Sequence, residues 1–401
     1  VLSTKSNRKT NLCDLCVLSE AGGKHTMKIG INAIFFAPGE GGGIERYLRN
    51  LVRALQEIDE RNEYLLFTNR NNTGTFVLEN NFKEFLVPIS ARSRVAKILW
   101  EQLLLPFQVE RAGIDVLLSP GNIAPVFLPC PSVVVIHDLI PFMWPQNFSR
   151  SELAALRTLF TTTVRTSSRI ITVSKSSQKQ IMDQFNISRE RVCVIHEACD
   201  EDFSTDRNSA KEKRLLETTF GIKREFILCT AATRPHKNVT GLLKAFRYLK
   251  NRFGVEHMLV IAGPPGSEHD DLLELTKQLK LNEHVIFTGF VSSGMLPVLY
   301  RSASLFVYPS FYEGFGLPVL EAMASGIPVV ASHTTSLPEV VGNAGILVNP
   351  HNFQDIAYAM NRVLSDSEYR SHLVALGEKR AAVFSWQKTA KHVLGLLETF
   401  C

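Results

Sequence analysis

From Met27 onward the chain runs through one pattern twice: short β-type apolar runs alternate with amphipathic helical stretches, a break follows, and the alternation restarts. That order predicts parallel sheets wrapped by helices, because a helix between two strands returns the chain to the same end of the sheet. In the first half the expected strands are 28–33, 64–68, 85–89, 116–118, 133–136, 170–173 and 192–195. Between the first two, Ile44, Leu48, Leu51, Leu55 and Ile58 are spaced for one helix face. In the second half the expected strands are 226–230, 258–262, 285–288, 305–308 and 328–331, with Leu242, Leu243, Phe246 and Leu249 marking a helix between them. A chain of 401 residues is long enough for two such domains. The charged, weakly patterned residues 201–222 read as a linker between a first domain over 27–200 and a second over 223–384. Only helices are expected after Val348, and the last, within 385–401, is expected to pack back toward the first domain.

Composition narrows the function classes. A hydrophobic content of 45% supports sizeable cores, and the net charge of +5 is interspersed, with no basic arm for nucleic acid and no acidic tail. Seven cysteines, five of them scattered, suit a reduced, cytoplasmic protein. Cys13 and Cys16 form a lone Cys-x-x-Cys without a second pair to complete a zinc site, so no metal is expected there. Residues 1–26 lack an apolar signal core and read as a leader or appended segment, expected to be disordered, with Met27 as the natural start. No run of about 18 apolar residues marks a membrane span.

In open parallel sheets ligands gather at the carboxyl ends of the strands, so the residues after each strand are the place to look. In the first half these are Pro38 to Gly43, Pro120-Gly121-Asn122, His137-Asp138 and Ser174; in the second they include Thr233-Arg234-Pro235-His236-Lys237 and Ser310 to Gly316. The strongest signal is Glu313-Gly314-Phe315-Gly316-Leu317-Pro318, continuing to Glu321 and Gly326. Leu317-Pro318 suits a first helical turn and Gly326 its stop, so free backbone N–H groups at Phe315, Gly316 and Leu317 would meet a diphosphate. Glu321, expected in the first turn, can accept two ribose hydroxyls, and Glu313 can face a sugar. The plain alternative is that both carboxylates offset the helix dipole. Arg234 and Lys237 can straddle a diphosphate or simply begin a solvated helix. Gly42 and Gly43 open another helix, but Ile44 stands where a dinucleotide fingerprint needs its last glycine, which disfavours a dehydrogenase. His137, with Asp138 expected to orient it, ends an apolar strand where reactive groups sit.

Two glutamates separated by seven residues in this Gly-Pro setting resemble the signature of glycosyltransferase family 4, and the resemblance covers residues 27 to about 400. It implies a GT-B fold, in which two Rossmann-like α/β domains face each other across a cleft, the first for an acceptor and the second for a nucleotide sugar. It further implies a retaining, metal-independent hexosyltransferase without a cofactor. On this likeness Glu313 contacts the donor sugar, Glu321 the ribose, Phe315 to Leu317 the phosphates, and Arg234 with Lys237 neutralises the leaving diphosphate. Gly42 and Gly43 meet phosphates and acceptor, while His137 lies beside the transferred sugar. Ser174 and Glu339 also match family positions. The Ile136-His137-Asp138-Leu139-Ile140-Pro141 stretch is similar to that of bacterial mannosyltransferases, which favours GDP-mannose over a UDP-sugar as donor. The acceptor is expected to be a saccharide or a lipid-linked saccharide.

Two segments stay apart from this scheme. Asp200-Glu201-Asp202 has the form of a metal-binding Asp-x-Asp but falls away from the motifs above. The basic and apolar stretch Arg92 to Arg111 is expected as a core-facing helix, with a peripheral position on the inner face of the cytoplasmic membrane as the alternative. Rival functions are a sugar-nucleotide epimerase, a disaccharide phosphorylase, or a sugar-nucleotide binding protein without turnover.

Overall fold

The computed structural model describes residues 26–39, 42–79, 81–205 and 209–400; residues 1–25 of the expected leader, Cys13 and Cys16 among them, and Gly41 lie outside them. Seven parallel strands form the first sheet: β1 (Lys28–Asn32), β2 (Glu63–Asn69), β3 (Phe82–Val87), β4 (Val116–Ser119), β5 (Ser132–Ile136), β6 (Arg169–Thr172) and β7 (Val192–Val194), in the order β3-β2-β1-β4-β5-β6-β7. Six parallel strands form the second: β8 (Phe226–Thr230), β9 (Met258–Ala262), β10 (Val285–Gly289), β11 (Leu305–Tyr308), β12 (Val329–Ser332) and β13 (Ile346–Val348), in the order β10-β9-β8-β11-β12-β13. The inner strands are near-continuous apolar runs because both faces of each sheet are covered, whereas the edge strand β3 carries Lys83 and Glu84. In β5, Val133 and Val135 enter one core while Val134 and Ile136 enter another on the opposite face.

Four features differ from the sequence reading. The third strand sits at Phe82–Val87, shifted toward the N-terminus of the expected 85–89, and the three-residue β13 is too short to have shown a period. Residues 201–222 hold the helix Ser209–Phe220, whose Leu216 packs in the second core and whose Glu212 pairs with Arg301 at 2.8 Å. The stretch 92–111 is two helices, Arg94–Leu103 and Leu105–Arg111. Trp100, Leu105 and Val109 are buried, whereas Val95, Leu99, Leu103 and Phe107 are exposed, so one helix surface is core-facing and another apolar and open.

The C-terminal helix Trp386–Leu397 crosses to the first sheet, burying Trp386, Ala390, Val393 and Leu397 in that core, with Trp386 edge-on to Tyr47. None of Cys130, Cys193, Cys199 and Cys229 forms a disulfide. Among the described residues no helix is long and apolar enough to cross a membrane.

In each sheet the strand order reverses once, between β1 and β4 and between β8 and β11. A crevice opens at the carboxyl ends of the strands on either side of such a reversal. At the first lie residues 33–39, which follow β1, and the Pro120-Gly121-Asn122 turn; at the second lie Arg234 to Lys237 and Ser310 to Gly316.

Candidate functional site

The two crevices face each other and touch. A Cβ on Gly314 would lie 2.1 Å from the His137 carbonyl oxygen, so only glycine admits this approach. The Ser174 and Ser177 hydroxyls donate to the Gly314 carbonyl at 2.7 and 3.1 Å, and the Leu139 N–H donates to the Tyr312 hydroxyl at 3.0 Å. Gly316 has φ 117°, and a Cβ there would meet Leu337 at 2.6 Å. One glycine of the Gly-Phe-Gly motif is therefore set by the opposite domain and the other by its own backbone.

Between the crevices lies a cavity of about 280 Å3, bounded by Gly43, Arg46, His137, Lys237, Glu313 and the Gly314 to Pro318 segment. The helix Leu317–Ala324 starts at its wall, and among the described residues the N–H groups of Phe315, Gly316 and Leu317 have no acceptor. Three donors at a helix start, with the positive end of the dipole behind them, are a group that can seat an anion. A larger hollow, about 750 Å3, lies at the opposite edge of the second sheet beside Glu212, Arg224, Arg301 and Arg370; of the motif residues only Gly326, at the far end of the motif, lines it.

On the second-domain side, the Lys237 ammonium donates to Glu313 Oε1 and Oε2 at 2.8 and 3.0 Å and to the Tyr308 hydroxyl at 2.9 Å. Lys237 sits there because the single turn Pro235–Lys237 ends at left-handed Asn238, whose side chain donates to the Pro309 carbonyl and ties this turn to the Ser310 loop. Arg234 heads the same turn but is exposed, makes no side-chain hydrogen bond or ion pair among the described residues, and does not line the cavity. Glu321 sits in the second turn of its helix rather than the first, behind Arg46, and is 2% exposed. Arg46 Nη2 reaches its Oε1 at 2.5 Å, and the Tyr300 hydroxyl donates to its Oε2 at 2.7 Å.

On the first-domain side, His137 is buried at the end of β5. Its backbone N–H donates to Asn122 Oδ1 at 2.8 Å, its Nδ1 meets Glu197 Oε1 at 2.8 Å, and its Nε2 lies 3.1 Å from the Pro120 carbonyl. A carbonyl only accepts, so Nε2 carries a hydrogen. The imidazole is oriented by Glu197 and not by Asp138, whose Oδ1 accepts from the Ile140 N–H at 3.0 Å. Burial raises the Asp138 carboxyl above the usual carboxylate range, opposed by the Ile140 N–H, His137 and Lys237. Gly43 faces Leu317 across the cavity, whereas Gly42, with φ 56°, starts the helix Gly42–Ile58 beside it. Glu339 joins the halves: it accepts from the Lys175 N–H at 2.9 Å and meets His196 Nε2 at 2.7 Å.

Arg46, Glu197, Tyr300 and Tyr308 were not singled out by sequence. Glu197 follows β7 at the same carboxyl edge as the other motifs, and Arg46 starts the second turn of the helix that Gly42-Gly43 opens, so both had a positional signal. The tyrosines sit in apolar runs and had none. Among the described residues no group of three or more His, Cys, Asp or Glu is arranged to hold a metal ion. Asp200 of the Asp-Glu-Asp run accepts from Asn50 Nδ2, and Glu201 pairs with Arg53.

Comparison with known proteins agrees with this architecture. Residues 41–203 match the family described as Glycosyltransferase Family 4, and residues 213–380 match Glycosyl transferases group 1. O-antigen chain mannosyltransferase B of Escherichia coli is 34% identical over 256 residues, covering 64% of this chain and 67% of that protein. Serotype-specific mannosyltransferase WbdA of Escherichia coli is 33% identical over 271 residues, covering 66% of this chain and 33% of that protein, so the chain spans about a third of the WbdA length. The structure of Anabaena HepE in complex with UDP and glucose superposes with a TM-score of 0.71 at 22% identity, covering 93% of this chain and 100% of that one. WaaG, a glycosyltransferase involved in lipopolysaccharide biosynthesis, superposes with a TM-score of 0.68 at 13% identity, covering 92% and 99%. At such identities these structures speak for the fold, which is GT-B.

Proposed function

The chain belongs to family 4 of the glycosyltransferases, and from that premise we propose that it transfers a hexose, mannose foremost, from a nucleoside diphosphate sugar to a saccharide acceptor, with retention and without a metal. The observation that carries this is one cavity in which Lys237, Glu313 and the unpaired N–H groups of Phe315 to Leu317 stand opposite His137. The N–H groups and Lys237 take the diphosphate, Arg234 closes on it from the rim, Glu321 takes the ribose and Glu313 the sugar. Leaving-group departure builds positive charge on the sugar and negative charge on the phosphate, and fixed donors aimed at the latter lower the barrier most. His137 Nε2–H, held at 3.1 Å by a neutral carbonyl, is the donor that a sugar oxygen can capture. The acceptor attacks the face that the diphosphate leaves, and the leaving phosphate takes the acceptor's proton. Trapping a glycosylated Glu313 or Asp138 would overturn that step.

The names of the Escherichia coli relatives support mannose and hence GDP-mannose, with a UDP-sugar second. A lipid-linked acceptor is supported by the open apolar surface of Val95, Leu99, Leu103 and Phe107 on the acceptor domain, which suits peripheral contact with the inner face of the cytoplasmic membrane. A thermal-shift panel of GDP, UDP, ADP and their sugar conjugates in EDTA tests the donor reading. A selective rise that shrinks in Lys237→Ala supports it; no rise with any nucleotide, in a folded protein, leaves the non-catalytic reading.

A further inference from the structure

Arg46, Asn50 and Arg53 stand at i, i+4 and i+7 of the helix Gly42–Ile58, on a face away from the Tyr47, Leu48 and Leu51 stripe that enters the core. Each meets an acid beyond its own helix: Glu321 for Arg46, Asp200 for Asn50, and Glu201 for Arg53 at 2.9 Å. The Asp-Glu-Asp run that the donor scheme left unused is thus half of a polar row tying the Gly-loop helix to the interdomain connection and the donor domain.

The first rung bears on donor recognition. Both Glu321 oxygens are taken, Oε1 by Arg46 and Oε2 by Tyr300, whose hydroxyl is itself fixed 2.7 Å from Thr230 Oγ1. The carboxylate is 2% exposed while the Arg46 side chain above it is 31% exposed and borders the cavity. A ribose reaching Glu321 from the cavity therefore meets Arg46 first. We propose that Arg46 gates ribose recognition: it holds Glu321 until the 2′- and 3′-hydroxyls of a nucleoside diphosphate take the carboxylate, and the guanidinium then moves to Asp200. The inference rests on the donor-site reading above and adds to it a first-domain residue through which ribose binding is felt by the Gly-loop helix. Asp200, which accepts from Asn50 one rung along the same row, is the second seat. Burial works against the Arg46 charge, and Glu321 and then Asp200 more than offset it, so displacement leaves no stranded cation.

Titration calorimetry on the full chain compares GDP or UDP, whichever binds, with its 2′,3′-dideoxy form. In Arg46→Gln the ribonucleotide binds on the order of tenfold tighter, while the dideoxy form, which has nothing to offer Glu321, is unchanged. A merely structural role for Arg46 would move both ligands together. Arg46→Lys keeps a cation on Glu321, gives an intermediate ratio, and carries the readout if the Gln variant does not fold. Arg53→Ala breaks the Glu201 rung of the same row without touching Glu321 or Asp200 and leaves the ratio where it was. A weaker ribonucleotide in Arg46→Gln, or equal shifts of both ligands, overturns the gate while leaving the donor site intact. Binding of no nucleotide by the wild type removes the donor reading and the gate with it.

Discussion

Gly314→Ala separates the placement of His137 from the integrity of either domain. The added Cβ would sit 2.1 Å from the His137 carbonyl oxygen and 3.0 Å from its carbon, both backbone atoms that cannot rotate aside. Ordinary contact begins near 3.4 Å, so the two edges must part by about 1.3 Å along that line. The Ser174 and Ser177 hydrogen bonds to the Gly314 carbonyl then stretch past useful length. Gly314 does not require a left-handed φ, so alanine strains nothing within its own domain. A misplacement of about 1 Å between reacting groups costs on the order of a hundredfold in rate. The expected result is kcat lower by about that factor, a nearly unchanged melting temperature, and nucleotide affinity altered far less than turnover. A Gly314→Ala enzyme within about threefold of wild-type kcat would refute the claim that this edge-to-edge contact sets the catalytic geometry.

Other consequences follow from particular residues. Glu197→Gln removes the carboxylate that holds His137 Nδ1; kcat should fall between about tenfold and a hundredfold with an altered pH profile and little change in nucleotide affinity. Glu101 is buried beside Asn32 and burial pushes its carboxyl up to about 7 from an ordinary 4.5. Between those values the folded chain keeps a proton that the unfolded chain has released, so stability falls as pH rises through the window, by on the order of 3 kcal/mol. Glu101→Gln should therefore gain melting temperature over wild type at pH 8 and lose that gain by pH 4. A triple Leu99→Ser, Leu103→Ser, Phe107→Ser variant should lose sedimentation with anionic vesicles while melting as wild type does; unchanged sedimentation contradicts membrane contact.

Sequence carried the alternation of elements, and with it the reversal points where ligands collect, because strands covered on both faces are unmistakably apolar. The Gly-Phe-Gly motif was legible for the same reason: a glycine required by φ or by close approach cannot be disguised. What sequence did not carry was pairing across the cleft. Arg46 to Glu321 spans about two thirds of the chain, and no local spacing distinguishes it from a solvated helix residue. Asp138 looked like the natural orienter of His137 because it is adjacent, yet adjacent residues at a strand end point to opposite sides, and Glu197 on a neighbouring edge takes that role. The segment 201–222 looked unstructured because its helix buries little more than Leu216.

The most direct test of the central claim is to incubate the purified chain, in EDTA, with GDP-mannose or UDP-hexoses and simple alkyl glycoside acceptors, and to examine the products by mass and anomeric proton signals. The account expects an acceptor one hexose heavier, with the donor's anomeric configuration and one nucleoside diphosphate released per transfer, all lost in Glu313→Gln. An epimerised donor, an inverted linkage, or no transfer by a protein that binds the nucleotide would contradict it.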